Sequence, residues 1–290
     1  MLVLSYTGYI ELLLNGDISK MKKEIIALTI AGNDSDGSAG MTADLHSFYA
    51  RQVYGMGLLT AAVAGNTTGI YAQEVMPIPF IQKQFDVLND DFKIDALKTG
   101  MLANKDVIAC VAANLHKYDM GKIVLDPVIM TKHGDTLLDD DAYQAFLEQL
   151  MPLADIITPN FYEQKKLTGL SLDTKEEIRQ GAKKLQEMGA KNVLMKGRHD
   201  NSQQSQVTDI LLTADGEFHE FTKPFINTDR INGTGDTLSA VIAAELAKGK
   251  TIIDSVQIAK DFTYEAIAHP IAVGSKYGPI NHFAAQQNLK

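Results

Sequence analysis

The sequence predicts an α/β fold in which a mainly parallel central sheet is covered by helices on both faces, a three-layer α/β/α sandwich. Three observations carry that expectation. Short, continuously apolar runs recur along the 290 residues, and such runs fit strands buried on both faces. They alternate with segments whose apolar residues fall at helical spacing. Composition agrees, since 45% hydrophobic and 22% charged residues are the proportions of a soluble globular chain with ample core.

Taken in order, residues 25–30 form the first strand, and a small-residue loop at 31–40 leads into a helix over 41–53. Residues 58–64 are a strand, 79–89 a helix and 96–100 a strand. Residues 104–117 are helical, and 122–126 form a strand that stops at Pro127. A helix at 139–150, a strand at 155–158, a helix at 174–188 and a strand at 191–196 continue the alternation. The period then changes. Residues 207–212 and 217–221 flank Asp215-Gly216, which is a hairpin signal. Beyond 231 the chain reads as a glycine loop followed by helix.

Residues 1–20 are expected to be a non-core N-terminal extension. Their apolar runs, 1–4 and 12–14, are too short to span a bilayer, and no basic n-region or cleavage site accompanies them. Met21, followed by Lys22-Lys23-Glu24, is read as the biological start, and an intact mass that includes Met1 would refute it. With no Pro/Gly/Ser-rich linker and no internal repeat, residues 21–290 form a single domain. The net charge of −9 argues against nucleic-acid binding. An acidic chain that handles phosphate must supply positive charge locally, through metal ions and backbone dipoles. The single cysteine, Cys110, excludes an intramolecular disulfide and fits a reducing cytoplasm. Its apolar helical surroundings mark it as core packing.

In parallel sheets, ligands gather at the carboxyl ends of the strands. Polar residues interrupt the pattern at those ends: Asn33, Asp34, Asn66, Lys98, Asp126, Asn160, Glu163 and Lys196. One active site along one sheet edge would produce that distribution. The last piece is Ile231-Asn232-Gly233-Thr234-Gly235-Asp236, which turns directly into a helix with Leu238, Val241, Ile242 and Leu246 on one face. The unpaired N–H groups of Gly233 to Asp236 and the helix dipole make this turn an anion site, and two glycines let a phosphate come close. A carboxylate there repels an anion unless it takes a proton from an attacking hydroxyl. On these residues alone Asp236 is equally an ordinary N-cap.

Three other motifs fail. Gly249-Lys250-Thr251 lacks the earlier glycine of a P-loop and follows a helix instead of opening one. Asp34-Ser35-Asp36-Gly37 lacks the first and twelfth ligands of a calcium loop. Gly233-Thr234-Gly235 lacks the third glycine of a dinucleotide fingerprint. The histidines have no metal-ligand spacing.

What remains is an ordered set. It comprises Ala31-Gly32-Asn33-Asp34 with Gly37-Ser38-Ala39-Gly40, then Lys98-Thr99-Gly100-Met101, Asp126-Pro127-Val128 and Thr158-Pro159-Asn160 with Glu163. Lys196-Gly197 and the 233–236 loop complete it. In this order and spacing the chain resembles the ribokinase superfamily, and more closely its vitamin-kinase branch of pyridoxal kinases and hydroxymethylpyrimidine (phosphate) kinases. The resemblance runs from about Lys22 to the C-terminus, through Gly278-Pro279-Ile280-Asn281-His282.

The resemblance implies transfer of the γ-phosphoryl group of ATP to a hydroxymethyl group on a small nitrogen heterocycle. It implies Asp236 as the base, with Gly233, Thr234 and Gly235 in the anion hole that receives the moving phosphoryl. Asp126 and Glu163 would hold Mg²⁺ directly or through water. Asn160, Lys196 and Gly197 would contact ATP together with Thr234 and Gly235. Gly32, Asp44, Gly65, Met101 and Val128 would line the heterocycle pocket. Residues 130–135 read as a small flap that closes over substrate, with Lys132 in reach of a phosphate. A homodimer is implied by the resemblance alone, and a monovalent-cation requirement is left open.

Two departures bear on the heterocycle. Hydroxymethylpyrimidine kinases commonly carry cysteine where this chain has Asp236, and a pyrimidine-reading glutamine where it has Gly65. Losing a hydrogen-bonding side chain weakens discrimination, and glycine leaves room for a bulkier ring. Pyridoxal kinases commonly have aspartate at the base position. Against them, the flap lacks the cysteine of some bifunctional B6 kinases, and Arg198 stands where a second glycine is usual. The expectation is therefore a cytoplasmic, Mg²⁺- and ATP-dependent pyridoxal/pyridoxine kinase. The alternative is a hydroxymethylpyrimidine (phosphate) kinase, and a non-catalytic ligand-binding module ranks below both.

Overall fold

A computed structural model describes residues 23–130, 138–199 and 204–287. The expected extension at 1–20 and the flap beyond Met130, with Lys132, lie outside the described residues. In chain order the strands are β1 (Ile26–Asp34), β2 (Tyr54–Asn66), β3 (Gly69–Val75), β4 (Ala96–Thr99), β5 (Lys122–Leu125), β6 (Ile156–Ile157), β7 (Asn192–Met195), β8 (Gln206–Leu212) and β9 (Phe218–Pro224). The helices are α1 (Gly40–Ala50), α2 (Ile78–Asp91), α3 (Lys105–Lys117), α4 (Asp140–Ala145), α5 (Phe161–Thr168), α6 (Lys175–Glu187), α7 (Thr234–Ala247), α8 (Ile252–Ala268) and α9 (His282–Gln287).

The strands make one sheet in the order β3-β2-β1-β4-β5-β6-β7-β8-β9. From β2 through β7 neighbouring strands run parallel. Antiparallel pairings close both margins, β3 on β2 and β8–β9 on β7.

Alternation along the strands divides the core in two, because successive side chains point to opposite faces. Leu28, Ile30, Leu97, Leu125, Ile157 and Val193 meet α2, α3 and α6 through Phe85, Ile108, Val111 and Leu185. Ala27, Ala96, Val124, Ile156 and Leu194 meet α1, α7 and α8 through Phe48, Val241, Ile242 and Phe262. Complete burial of each large apolar side chain is worth about 1.5–3 kcal/mol, so the sheet is anchored on both faces. Cys110 packs, half-buried, against the first of these cores.

The structure departs from the expected elements in four places. β2 starts at Tyr54, upstream of the expected 58, because Gly55 and Gly57 interrupt the apolar pattern. Both glycines are needed for close packing: a Cβ would lie 2.9 Å from the Phe48 ring at Gly55 and 2.6 Å from the Met41 sulfur at Gly57. β3 has no apolar signature, since its residues up to Glu74 are exposed at the sheet margin. α5 is a short helix that a polar stretch conceals; an Asn160–Glu163 capping box opens it and left-handed Gly169 ends it. The helix expected at 139–150 is α-helical only to Ala145, continuing as a π-helical turn over Phe146–Leu150 and a 3₁₀ turn over Met151–Leu153.

Candidate active site

α7 starts where Ile231-Asn232-Gly233 ends, and the chain leaves it little choice. Gly233 takes φ 80°, a left-handed conformation that favours glycine. A side chain there would also collide with the Ser38 carbonyl of the loop before α1. Asn232 pins the loop to the C-terminal segment, donating from Nδ2 to the Tyr277 carbonyl at 3.1 Å and accepting at its own carbonyl from Ile280 at 3.2 Å. Thr234 donates back to the Ile231 carbonyl from its hydroxyl at 2.7 Å. No side chain caps α7. Gly233 to Asp236 therefore present a helix start to the cavity they line.

That cavity, of about 490 Å³, runs along the carboxyl-end margin of the parallel strands. At one end it is lined by Asp34, Asp36, Gly65, Asn66 and Ile70 from β1, β2, β3 and their loops. At the other end stand Val207, Asp209, Lys223, Pro224, Lys260 and Tyr264, from β8, β9 and α8. Val128, Asn160, Lys196 and the 233–236 loop line it between these ends of the sheet.

The carboxylate of Asp236 is held by a buried lysine. Lys98 Nζ donates to Asp236 Oδ1 at 3.2 Å and to Asp44 Oδ1 at 2.6 Å, and Thr29 donates to the other Asp44 oxygen at 2.6 Å. Lys98 and Asp44 are fully buried, whereas the Asp236 side chain keeps 20% exposure. Burial alone would raise the Asp236 pKa, but the Lys98 charge and hydrogen bond, with smaller help from the Gly40 backbone and Lys196, together outweigh it, so the carboxyl is held below its usual range. Asp34 goes the other way. Burial, with Asp36 and Asp236 close by, pushes it up to about 6. Behind α7, His282 Nε2 sits 2.8 Å from the Thr237 hydroxyl, and burial with His46 nearby pushes it down to about 4.

Asp126 lies beneath the same loop. Thr158 and Ser239 donate to it at 3.4 and 3.2 Å, and Lys196 Nζ lies 3.4 Å from Oδ1. A Cβ at Gly235 would lie 3.5 Å from Lys196 Nζ and 3.8 Å from Asp126 Oδ2. Those are ordinary contact distances, so a lysine and a carboxylate flank the helix start without Gly235 being sterically required. Glu163 is placed differently from Asp126. It is buried, with Oε1 accepting from the Ile129 N–H at 3.0 Å and Oε2 from the Asn160 N–H at 2.8 Å. Asn160 also donates to the Met130 carbonyl at 3.3 Å. Together they tether residues 128–130, where Val128 adopts φ 45°, an outlier for a β-branched residue.

The heterocycle set divides. Gly65 and Val128 line the cavity. Asp44 lies beneath it, with both oxygens committed to Lys98 and Thr29. Gly32 and Met101 pack on each other below the lining, the Met101 methyl occupying the space a Gly32 side chain would need. Nor is the space at Gly65 open, since a Cβ there would meet Asp34 Oδ1 and the Gly69 carbonyl, each at 3.3 Å. Gly197 is tied into the β7–β8 turn, its N–H donating to Asp209 Oδ1 at 2.8 Å. Arg198 stacks its guanidinium 4.9 Å from the Phe161 ring centre.

Lys98 and the Asp209–Lys260 pair, 2.9 Å apart and buried at the β8 end, had no role assigned from sequence. For Lys98 a signal existed: a cation inside an apolar strand covered on both faces has to be paired.

A mainly parallel sheet with an uncapped glycine helix start, an ionised carboxylate on its first turn and a lysine beside it defines a ribokinase-like small-molecule kinase of the vitamin-kinase branch. Residues 34–281 match the phosphomethylpyrimidine kinase family, and the chain belongs to that family. A hydroxymethylpyrimidine/phosphomethylpyrimidine kinase of Haemophilus influenzae is 45% identical over 258 residues, covering 89% of this chain and 96% of that one. Among solved structures, an ADP complex of Bacillus subtilis pyridoxal kinase superposes with TM-score 0.82 at 33% identity, covering 92% of this chain and all of that one. A phosphomethylpyrimidine kinase from Clostridium difficile superposes with TM-score 0.75 at 36% identity, covering 84% of this chain and 100% of that one.

Proposed function

We propose that this kinase phosphorylates the hydroxymethyl group of a hydroxymethylpyrimidine, and the resulting monophosphate, at the expense of ATP. The reaction type rests on Asp236, an ionised carboxylate on the first turn of an uncapped helix inside the cavity. It takes the acceptor hydroxyl's proton while the Gly233, Gly235 and Asp236 N–H groups stabilise charge on the moving phosphoryl, the Thr234 N–H being taken by the Ile231 carbonyl at 3.3 Å. The choice of pyrimidine over B6 rests on the 45% identical relative, a hydroxymethylpyrimidine/phosphomethylpyrimidine kinase.

The pyridoxal reading keeps support from the structural neighbours, among them the Bacillus subtilis pyridoxal kinase. Its sequence argument is weaker than expected, because Asp34 occupies the room that Gly65 was thought to leave.

The nucleotide is assigned to the Lys196 and β8–β9–α8 end of the cavity, and the acceptor to the Asp34–Gly65 end. The donor set fits Mg²⁺, a hard cation satisfied by one or two carboxylates with phosphate oxygens and water. Asp126 would hold it, and bound there it would neutralise phosphate charge. Glu163 supports that region by tethering Ile129. A homodimer and a reducing cytoplasmic setting belong to this reading, and light scattering of the purified chain checks the former.

The deciding experiment is ADP release with hydroxymethylpyrimidine, its monophosphate, pyridoxal and pyridoxine offered separately. Turnover of both pyrimidines with little on the B6 compounds is expected. The reverse preference would restore the B6 reading, and silence on all four with ATP still bound would point to a binding module.

A further inference from the structure

We propose that Lys98 is a positioning residue for the base: anchored by Asp44, which Thr29 in turn holds, it fixes the Asp236 carboxylate in place at the helix start. This inference deepens the proposed function and rests on Asp236 being the base.

The geometry carries it. Lys98 lies on β4 in the middle of the parallel sheet, and its ammonium reaches both Asp44 on α1 and Asp236 on α7. A fully buried ammonium between two carboxylates is costly unless each contact is well made. The Asp44 contact, at 2.6 Å, is the tighter of the two and is wholly enclosed. Asp236 is the longer and more exposed contact, at 3.2 Å. The arrangement is asymmetric: one carboxylate is the anchor, and the other is the group presented to the cavity. The Gly40 N–H, at the start of α1, also favours the ionised form of Asp236.

Other charges face Asp236 from several elements. Lys196 favours its ionised form, while Asp34 and Asp44 oppose it. His282, from α9, is neutral near pH 7 and adds little. Asp126 is felt by Lys98. Lys98 is the largest of the influences that hold Asp236 ionised against its own burial. Without it, burial would dominate and the carboxyl would retain its proton into the working pH range. A protonated Asp236 cannot accept the hydroxyl proton.

Separating this role from plain fold support takes a charge-balanced pair of variants. Lys98→Met leaves two buried carboxylates facing each other and risks the fold. Lys98→Met combined with Asp44→Asn removes one charge of each sign, so Asp236 alone remains. Profiles of kcat/KM against pH are recorded for both, for Asp44→Asn alone, and for the unaltered protein, with folding checked by circular dichroism. The expected result is an acid limb raised by about one pH unit or more in each folded Lys98→Met variant, which is about a tenfold loss per unit below the new limb. In Asp44→Asn, which keeps the lysine, the limb stays low. Lys98→Arg, which keeps a cation, should restore much of the low limb. An acid limb unmoved in the folded double variant would overturn the proposal. If the limb moves equally in Asp44→Asn, the effect belongs to general disruption and the proposal also fails. Asp236→Asn, run alongside with the hydroxyl acceptor, tests the underlying reading separately: turnover within a few-fold of the unaltered protein would remove Asp236 as the base, whatever Lys98 does.

Discussion

As the proposed base, Asp236 would do chemistry that depends on what the acceptor brings. A hydroxymethyl group must lose a proton as it attacks, whereas a phosphomethyl group attacks through an oxygen that is already ionised near neutrality. Asp236→Asn is therefore expected to lower kcat on the hydroxyl acceptor by about a hundredfold or more, the range for loss of a general base. On the monophosphate the loss should be at least tenfold smaller. Equal losses on the two acceptors, measured as ADP release, would mean that the carboxylate does something other than take a proton. The local residues alone read Asp236 equally as an N-cap, but it was conspicuous in the sequence, a carboxylate on a glycine-rich helix start. Its partner was not. Lys98 and Asp236 are 138 residues apart, and nothing local in either stretch records that they meet. Asp44, which the family resemblance places among the pocket residues, is sealed beneath them.

At the scale of elements, two helix starts set the site, and each can be broken with a predictable result. Gly233→Ala would have to hold φ 80° and displace the Ser38 carbonyl. The variant is expected to keep its secondary structure and lose ATP affinity at least tenfold by calorimetry, because the anion-binding turn no longer closes. Unchanged affinity would remove this turn from the nucleotide site. Asn160→Ala removes the side chain that accepts from Tyr162 and Glu163 and donates to the Met130 carbonyl. A lost cap costs about 1 kcal/mol, so a modest drop in Tm is expected, together with a larger fall in turnover as residues 128–130 loosen. A Tm drop without a turnover change would confine Asn160 to helix stability. The buried strands and long helices could be read from periodicity because burial on both faces leaves an unbroken apolar record. β3 and α5 leave none, one being exposed at a margin and the other a polar helix of eight residues.

Across the whole molecule, acidic groups buried for the site shape its response to pH. Burial raises Glu163 despite Lys196, and pushes Asp34 up to about 6. Between about pH 4, where these groups titrate in an unfolded chain, and their folded values, the native protein holds protons the unfolded chain has released. Stability from these groups therefore falls as pH rises through that window. His282, pushed down to about 4, acts in the opposite direction, adding stability as pH rises towards about 6.5 and nothing beyond it. Above that point only the acids contribute, so Tm is expected to be higher at pH 6 than at pH 8. Glu163→Gln should reduce the difference. A Tm that rises from pH 6 to pH 8 in the unaltered protein would contradict the assignment.

The cavity draws its two ends from opposite margins of one sheet, and those margins come from distant parts of the chain. The end given to the acceptor is written within residues 34–70, and the end given to the nucleotide within residues 196–267. The parallel strands between them are a chassis that neither ligand's outline dictates. An exchange of the first segment between relatives of different acceptor preference, joined within the shared sheet, should transplant that preference and leave the affinity for ATP where it was.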